Sequence, residues 1–386
     1  MSPLENLSLR DPDSFRAGEV HAYRELWNKI SAGYVKEVEV NEWVSKGIDI
    51  TAFCRPFKGV FKGVEYDCST PPRKTFKNHP SCKQFVNFIS ETLSQRLKTG
   101  AVAVWGKVGE VQPPHLVLPI TVEPSKPRLC MDARFLNLWM KDTPFFLDKL
   151  IDVPRFVYKN SFMSKIDDKS GYDHILLTKE SSQYFGIEWN GLWGVCTTLP
   201  FGCKNSPYMY QTIGLVATNF FRQKGIACSL YIDDRLNGEL FTKKGFWSRP
   251  IGQRDTGYSY KSAEAALYIV CKVLTHLGYF LGFEKCILAP TQRILYLGML
   301  IDSTLQAFLI PEEKKERFAS LREGILIRKS SIPFKSFQRL MGKCISFSLA
   351  FPGAKFYIRE MAQAVGRASP KGEIQLTAGL REELEF

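Results

Sequence analysis

Two short stretches decide how this chain is read: Phe162-Met-Ser-Lys-Ile-Asp167-Asp168-Lys-Ser-Gly-Tyr172 and Ser229-Leu-Tyr231-Ile-Asp233-Asp234-Arg235. Each is a hydrophobic strand that ends abruptly in two carboxylates. Side chains alternate along a strand, so Asp167 shares a face with Lys165 and Met163, opposite Ile166 and Ser164. Asp233-Asp234 follows its strand and suits the turn of a hairpin. The leading aspartates lie 233 − 167 = 66 residues apart and meet if the two strands pair. Carboxylates packed together repel, so such a meeting calls for a cation. Mg²⁺ takes oxygen ligands and keeps substrate phosphates as further ones. Two such ions, about 3.5–4 Å apart, serve phosphoryl transfer. A lone Asp-Asp is usually only a turn; the content and order of the neighbouring motifs give this one its chemical meaning.

Around this acidic focus the chain is basic. Its 386 residues carry 52 Lys+Arg against 39 Asp+Glu, a net charge of +13. That excess favours a polyanionic partner, nucleic acid before anionic membrane. Hydrophobic residues at 45% and aromatics at 13% supply a core and exclude a disordered or fibrous chain. No stretch approaches ~18 uninterrupted apolar residues, so no membrane span and no membrane partner are expected. The start, Met1-Ser-Pro-Leu-Glu-Asn, lacks the pattern of a secretory signal. None of the ten cysteines forms Cys-x-x-Cys, which argues against zinc knuckles and for buried reduced thiols. The expectation is an intracellular protein, cytoplasmic or nuclear, and not secreted.

Element signals mix helices and strands. Phe85, Phe88, Ile89, Leu93 and Leu97 predict a helix over 83–98 that stops at Gly100. Ser206-Pro207 opens another, with Met209, Ile213, Val216 and Phe220 on one face and Gly225 after its end. Strands are expected at 101–105, 115–122, 128–132, 161–167, 226–232, 294–301 and 305–310. Helices follow Pro311 and Pro333. The fold class is α+β, strands in the middle and helices at the C-terminal end. Residues 55–77 hold six basic residues interrupted by Pro71-Pro72. They read as an irregular basic linker, a solvated loop rather than a dedicated nucleic-acid arm. Residues 238–262 read as an inserted loop.

Taken in order, the motifs resemble the reverse transcriptase family over residues 82–350. Lys126-Pro-Arg128-Leu-Cys-Met-Asp132-Ala-Arg134-Phe-Leu-Asn137 is similar to the family's fingers motif. Ile166-Asp167-Asp168-Lys-Ser-Gly171-Tyr172 resembles its first palm motif. Leu199-Pro-Phe201-Gly202-Cys-Lys-Asn-Ser-Pro207, with Gln211, resembles the template and nucleotide motif. Tyr231-Ile-Asp233-Asp234 matches the second catalytic motif. Leu277-Gly-Tyr-Phe-Leu-Gly-Phe-Glu-Lys285-Cys286 and Tyr296-Leu-Gly298 match the two motifs that close the palm. Tyr-x-Asp-Asp alone is weak; six ordered motifs are strong. Phe201 favours the gypsy-like and DIRS-like retroelements, and Arg235 with the long spacer tilts toward the DIRS-like group. Pararetroviral polymerases are the alternative within the family.

The resemblance implies a right-hand polymerase with fingers, palm and thumb and an antiparallel palm sheet backed by helices. Its divisions are an N-terminal extension of unclear fold (1–80), fingers (81–160), palm (161–302) and thumb with connection (303–386). The C-terminal Leu380-Arg-Glu-Glu-Leu384-Glu-Phe386 resembles the lead-in to a ribonuclease H domain, and no RNase H activity is expected from this chain. The implied activity is template-directed DNA synthesis from dNTPs on a primed RNA or DNA template, within a retrotransposon polyprotein with RNase H, recombinase or integrase neighbours. Two Mg²⁺ ions, with Mn²⁺ as substitute, are the implied cofactors. Asp167, Asp233 and Asp234 would ligate them, with Asp168 adding its main-chain carbonyl. Lys126 and Arg128 would hold the triphosphate, aided by amides of Ser170 and Gly171. Tyr172, offset 172 − 167 = 5 from the first aspartate, would lie under the sugar and exclude a 2′-hydroxyl. Phe201 would pack on the incoming pair, Gly202 would allow close approach of backbone to substrate, and Lys285 would donate a proton to pyrophosphate. Asp132 and Arg134 read as a structural pair. A nucleic-acid-binding protein that kept the fold without the activity, or a packaging component of a polyprotein, are the competing classes.

Overall fold

The strands that end in aspartates are neighbours. Met163–Asp167 lies beside Asp234–Leu240, which a two-residue turn joins to Ile226–Tyr231, and Ile287–Thr291 completes a four-stranded sheet. Met163–Asp167 and Asp234–Leu240 run antiparallel, with Asp167 directly opposite Asp234 and Lys165 opposite Leu236. The helix Ser206–Gln223 packs on the outer strand Ile226–Tyr231. Pro207 sits in its first turn, where a missing N–H costs nothing. Met209, Ile213, Val216 and Phe221 are buried. The chain leaves the helix through Gly225, whose φ is +83° and where a Cβ would strike the Phe241 carbonyl.

The computed structural model describes residues 3–125, 127–241, 256–327, 331–369 and 372–385. They fall into two units, one built from Met1–Lys149, Ser164–Arg249 and Tyr260–Pro290, the other from Leu150–Met163, Pro250–Ser259 and Thr291–Phe386. In the first unit a five-stranded sheet runs in the order 74–75, 116–117, 186–189, 192–196, 102–107. Beside it Ile120–Glu123 pairs antiparallel with Arg128–Met131. The helix Val86–Thr99 stops at Gly100 as expected, in the left-handed conformation. The helix Thr256–His276 adds Leu267, Val270, Cys271 and Leu274 to the core.

Three expectations are corrected here. The stretch 55–77 is not an irregular linker. Phe57–Phe61 and Val64–Cys68 form an antiparallel hairpin, and Lys74–Thr75 joins the five-stranded sheet. Phe57, Phe61 and Tyr66 pack inward, with Phe61 and Tyr66 edge-on to Phe135 and Phe57 edge-on to Trp139. Nor do the first 80 residues stand apart. Val20, Trp27, Val40 and Ile48 are fully buried in the same core as Ile166 and Leu281, and the Trp27 indole donates to the Leu277 carbonyl at 3.2 Å. The insert is also shorter than 238–262, because its strand runs to Leu240 and the next helix begins at Thr256; residues 242–255 lie outside the described residues.

In the second unit the expected single strand 294–301 is a hairpin. Arg293–Tyr296 and Met299–Asp302 flank Leu297 and Gly298, whose φ values of +45° and +77° suit a primed hairpin turn. Ala307–Leu309 adds a third strand. The helices Glu312–Leu326, Phe334–Ser346, Arg359–Arg367 and Ala378–Glu385 enclose a separate core around Ile332, Phe337 and Leu340. All ten cysteines are free thiols, six of them buried. Among the described residues no helix is long and apolar enough to cross a membrane.

Candidate active site

Asp233 sits in the turn of the Ile226–Tyr231/Asp234–Leu240 hairpin, with Tyr231 paired to Asp234 across it. The turn is strained: Ile232 has a φ of +57°, a region that a β-branched residue rarely enters. Gln211, fully buried on the helix behind, holds it in place. Its Oε1 accepts from the Ile232 amide at 2.8 Å, and its Nε2 donates to the Leu230 carbonyl at 3.2 Å. Register then sets Asp167 against Asp234, and the Asp168 amide donates to the Asp233 carbonyl at 3.2 Å. Three carboxylates, two from paired strands and one from the adjoining turn, are gathered at one sheet end.

The charges around them are uneven. Lys285 Nζ lies 3.2 Å from Asp167 Oδ2, and Lys165 Nζ lies 3.0 Å from Asp234 Oδ1. Burial pushes the Asp167 carboxyl up, against the pull of Lys285. Burial, then the Asp168 charge, pushes Asp233 up to about 6. Two glycines make room for the carboxylates. A Cβ at Gly282 would stand 3.1 Å from Asp167 Oδ2, and one at Gly171 would stand 3.3 Å from Asp233 Cβ. Oxygen donors crowded by their own repulsion, in a space that side chains leave clear, match the needs of a hard divalent cation. The described side chains do not by themselves close a ready-made cage of three or more ligands.

The Asp168 side chain is not part of this set. It has no exposure, accepts from the Tyr210 hydroxyl at 2.6 Å and pairs with Arg235 at 3.4 Å. Its expected contribution to the ligand set is therefore left to its main-chain carbonyl. Ser170, in the left-handed conformation, leads into the short turn Gly171–His174. Tyr172 follows, and its ring meets Phe201 at 4.8 Å between centroids, with 57% of Phe201 exposed. Tyr172, Phe201 and Gly171 are thus brought beside Asp233. Gly202 also meets a need within the chain. Its φ is +108°, and a Cβ there would stand 2.2 Å from the Met131 carbonyl. It lets two stretches of this chain touch. Arg128 is exposed at the start of its strand, opposite Glu123, and among the described residues the ion-pair partners of Asp167 and Asp234 are Lys285 and Lys165 instead. Lys126 lies outside the described residues. Asp132 and Arg134 do pair, at 2.6 Å.

Several supporting residues escaped the sequence reading. Gln211 and Gly282 lay inside quoted motifs but carried no role. Asn137 ties the nucleotide motif to the fingers, donating to the Gly202 carbonyl and accepting from the Lys204 amide. Cys286 accepts from the Asp167 amide at 3.3 Å. His174 is buried and neutral. Nδ1 faces the Gly171 carbonyl at 3.0 Å, Nε2 accepts from the Phe280 amide at 3.0 Å, and burial pushes its pKa down.

A sequence model described as reverse transcriptase (RNA-dependent DNA polymerase) matches residues 133–301, the span that holds every one of these carboxylates. Residues 133–301 thus match the reverse transcriptase family. Among solved structures, the chain is similar to a foamy viral protease–reverse transcriptase in complex with double-stranded DNA, at TM-score 0.63 and 17% identity over 98% of this chain and 60% of that one. It is also similar to the foamy viral protease–reverse transcriptase with an RNA/DNA hybrid, at TM-score 0.60 and 18% identity, covering 98% and 46%. A third foamy viral structure, with double-stranded DNA, gives TM-score 0.59 and 18% identity, covering 98% and 71%. The fold is therefore that of a right-hand polymerase, and this chain spans only part of the first two relatives' length. No curated protein sequence matches the chain.

Proposed function

We propose that the chain is an RNA-directed DNA polymerase that extends a primer on an RNA or DNA template, using dNTPs. The carrying observation is the pairing of Asp167 with Asp234 and the placement of Asp233 in the adjoining turn. Asp167, Asp233 and Asp234, with the Asp168 carbonyl, would hold two Mg²⁺ ions. Bound there, the ions supply charge neutralisation for attack of the primer 3′-hydroxyl on the α-phosphate, with pyrophosphate leaving.

The chain's own residues do the positioning. Tyr172 and Phe201 offer a flat aromatic floor for sugar and base, with Tyr172 placed to exclude a 2′-hydroxyl. Lys285, its side chain 66% exposed and its Nζ beside Asp167, would give a proton to the leaving pyrophosphate. A basic cleft of about 470 Å³, with Lys62, Lys77, His79 and Arg134 on its walls, offers phosphate contacts for the template strand. Phe201 and Arg235 support a retroelement of the DIRS-like kind, acting within a polyprotein.

Primer extension on an RNA template is the direct test. The wild-type chain should incorporate dNTPs with Mg²⁺ or Mn²⁺, and Asp233→Asn should abolish incorporation while keeping primed-template binding. Absence of incorporation by a folded wild-type chain with either ion would defeat the proposal. Salt-dependent binding without turnover would leave a nucleic-acid-binding role in its place.

A further inference from the structure

Behind the aspartate turn lies a buried polar chain that the mechanism above does not use. Arg235 has 2% of its side chain exposed and Asp168 none. The guanidinium reaches Asp168 Oδ2 at 3.4 Å and donates to Thr218 Oγ1 at 3.3 Å. It also lies over the Tyr279 ring, 5.4 Å from the centroid. The Tyr210 hydroxyl donates to the same Asp168 oxygen at 2.6 Å. Two donors converge on one carboxylate oxygen away from solvent, where a charge-assisted bond is strong and fixes direction.

What this chain holds in place is the sugar-side aromatic. The Tyr210 ring meets the Tyr172 ring edge-on, 5.4 Å between centroids at 62°. Its hydroxyl lies 3.6 Å from where a Cβ on Gly171 would stand. Tyr172 meets Phe201 on its other side. A ring anchored at its hydroxyl cannot slide along its neighbour, whereas a ring of equal volume without the hydroxyl can.

We propose that Tyr210, held by the Asp168–Arg235 ion pair, is a positioning residue that fixes the Tyr172 ring and so sets how strictly the site rejects a ribose. This rests on the polymerase reading and adds to it a specificity determinant one layer below the surface. Tyr210→Phe removes one oxygen and leaves the packing volume. The ratio of kcat/KM for a dNTP over the matching ribonucleotide should fall about tenfold, the scale of one hydrogen bond to a charged group. The change should come from a lower ribonucleotide KM, with kcat for the dNTP kept. Amide exchange at residues 170–173 should quicken in the absence of nucleotide. Asp168→Asn, which keeps an oxygen acceptor but not the charge, should move both readouts the same way.

A double variant separates positioning from general loosening. Adding Tyr210→Phe to Tyr172→Val should change discrimination little beyond Tyr172→Val alone, because the anchored ring is already gone. Unchanged discrimination together with unchanged exchange in a folded Tyr210→Phe protein, or fully additive effects in the double variant, would overturn the inference. A wild-type chain that incorporates nothing would sink the polymerase reading instead, and exchange at 170–173 would then decide the positioning claim by itself.

Discussion

Burial of Asp233 works against its ionisation. With the Asp168, Asp167 and Asp234 charges nearby, its carboxyl sits at about 6 instead of 3.8. A raised carboxyl pKa means that folding favours the protonated form. The stability this gives is complete below 3.8 and is lost as pH rises through about 6. At neutral pH the metal-free fold therefore carries an ionised carboxylate at a cost. Asp233→Asn should raise the metal-free melting temperature above pH 6, and the gain should shrink as pH falls toward 4. Added Mg²⁺ should stabilise the wild-type chain by mass action and do much less for the variant. An Asp233→Asn protein no more stable than wild type above pH 6 would show that the carboxylate is not strained. The Asp168 side chain shows how far such details were legible. Strand alternation places Asp168 and Arg235 on the face opposite Asp167 and Asp234, so the signal for a separate role was present. Nothing local tells that two residues 235 − 168 = 67 apart pair with each other, and the pull of an adjacent aspartate hid it.

At the scale of elements, the turn at Ile232 depends on a helix. A residue forced into the left-handed region costs about 1–3 kcal/mol and persists only where its surroundings insist. Here Gln211 insists, with hydrogen bonds to the Leu230 carbonyl and the Ile232 amide, on the two sides of Tyr231 that lead into the strained residue. Gln211→Leu should cost about 1–3 kcal/mol of stability, the penalty for leaving buried backbone groups without partners. Denaturant midpoints would measure it, and faster amide exchange at 231–234 would locate it. A midpoint at the wild-type value would show that the turn holds itself. The helix that carries Gln211 was readable from Ser206-Pro207, the apolar face and Gly225. The 57–68 hairpin was not, although Phe57, Gly59 and Phe61 face inward in alternation with Lys58 and Val60. Six cations spread over 55–77 masked a period of two. Leu297 failed for another reason: leucine in the left-handed conformation has no local cue, so a tight hairpin looked like one continuous strand.

Over the whole molecule, the excess charge of +13 has a chemical use only if the cations can reach phosphates. Many are already spent. Lys58 pairs with Asp67, Arg96 with Asp173, Arg222 with Asp148, and Arg235 with Asp168. Lys62 and Lys77 are different: both line the basic cleft, and neither has an acidic side chain within ion-pair distance among the described residues. Primed-template binding should therefore weaken steeply with salt, and the Lys62→Gln/Lys77→Gln protein should show a shallower slope of log affinity against log salt. Each lost phosphate contact removes about 0.9 from the slope on duplex and about 0.7 on single strand. Two contacts then give a drop of about 1.8 if the cleft takes duplex and about 1.4 if it takes a single-stranded template. Blunt duplexes compared with duplexes bearing a long template overhang resolve the two cases, because only the second substrate should respond if the cleft holds a single strand. An unchanged slope on both would mean that the cleft's cations never meet phosphate, and that template contacts come from elsewhere on the basic surface.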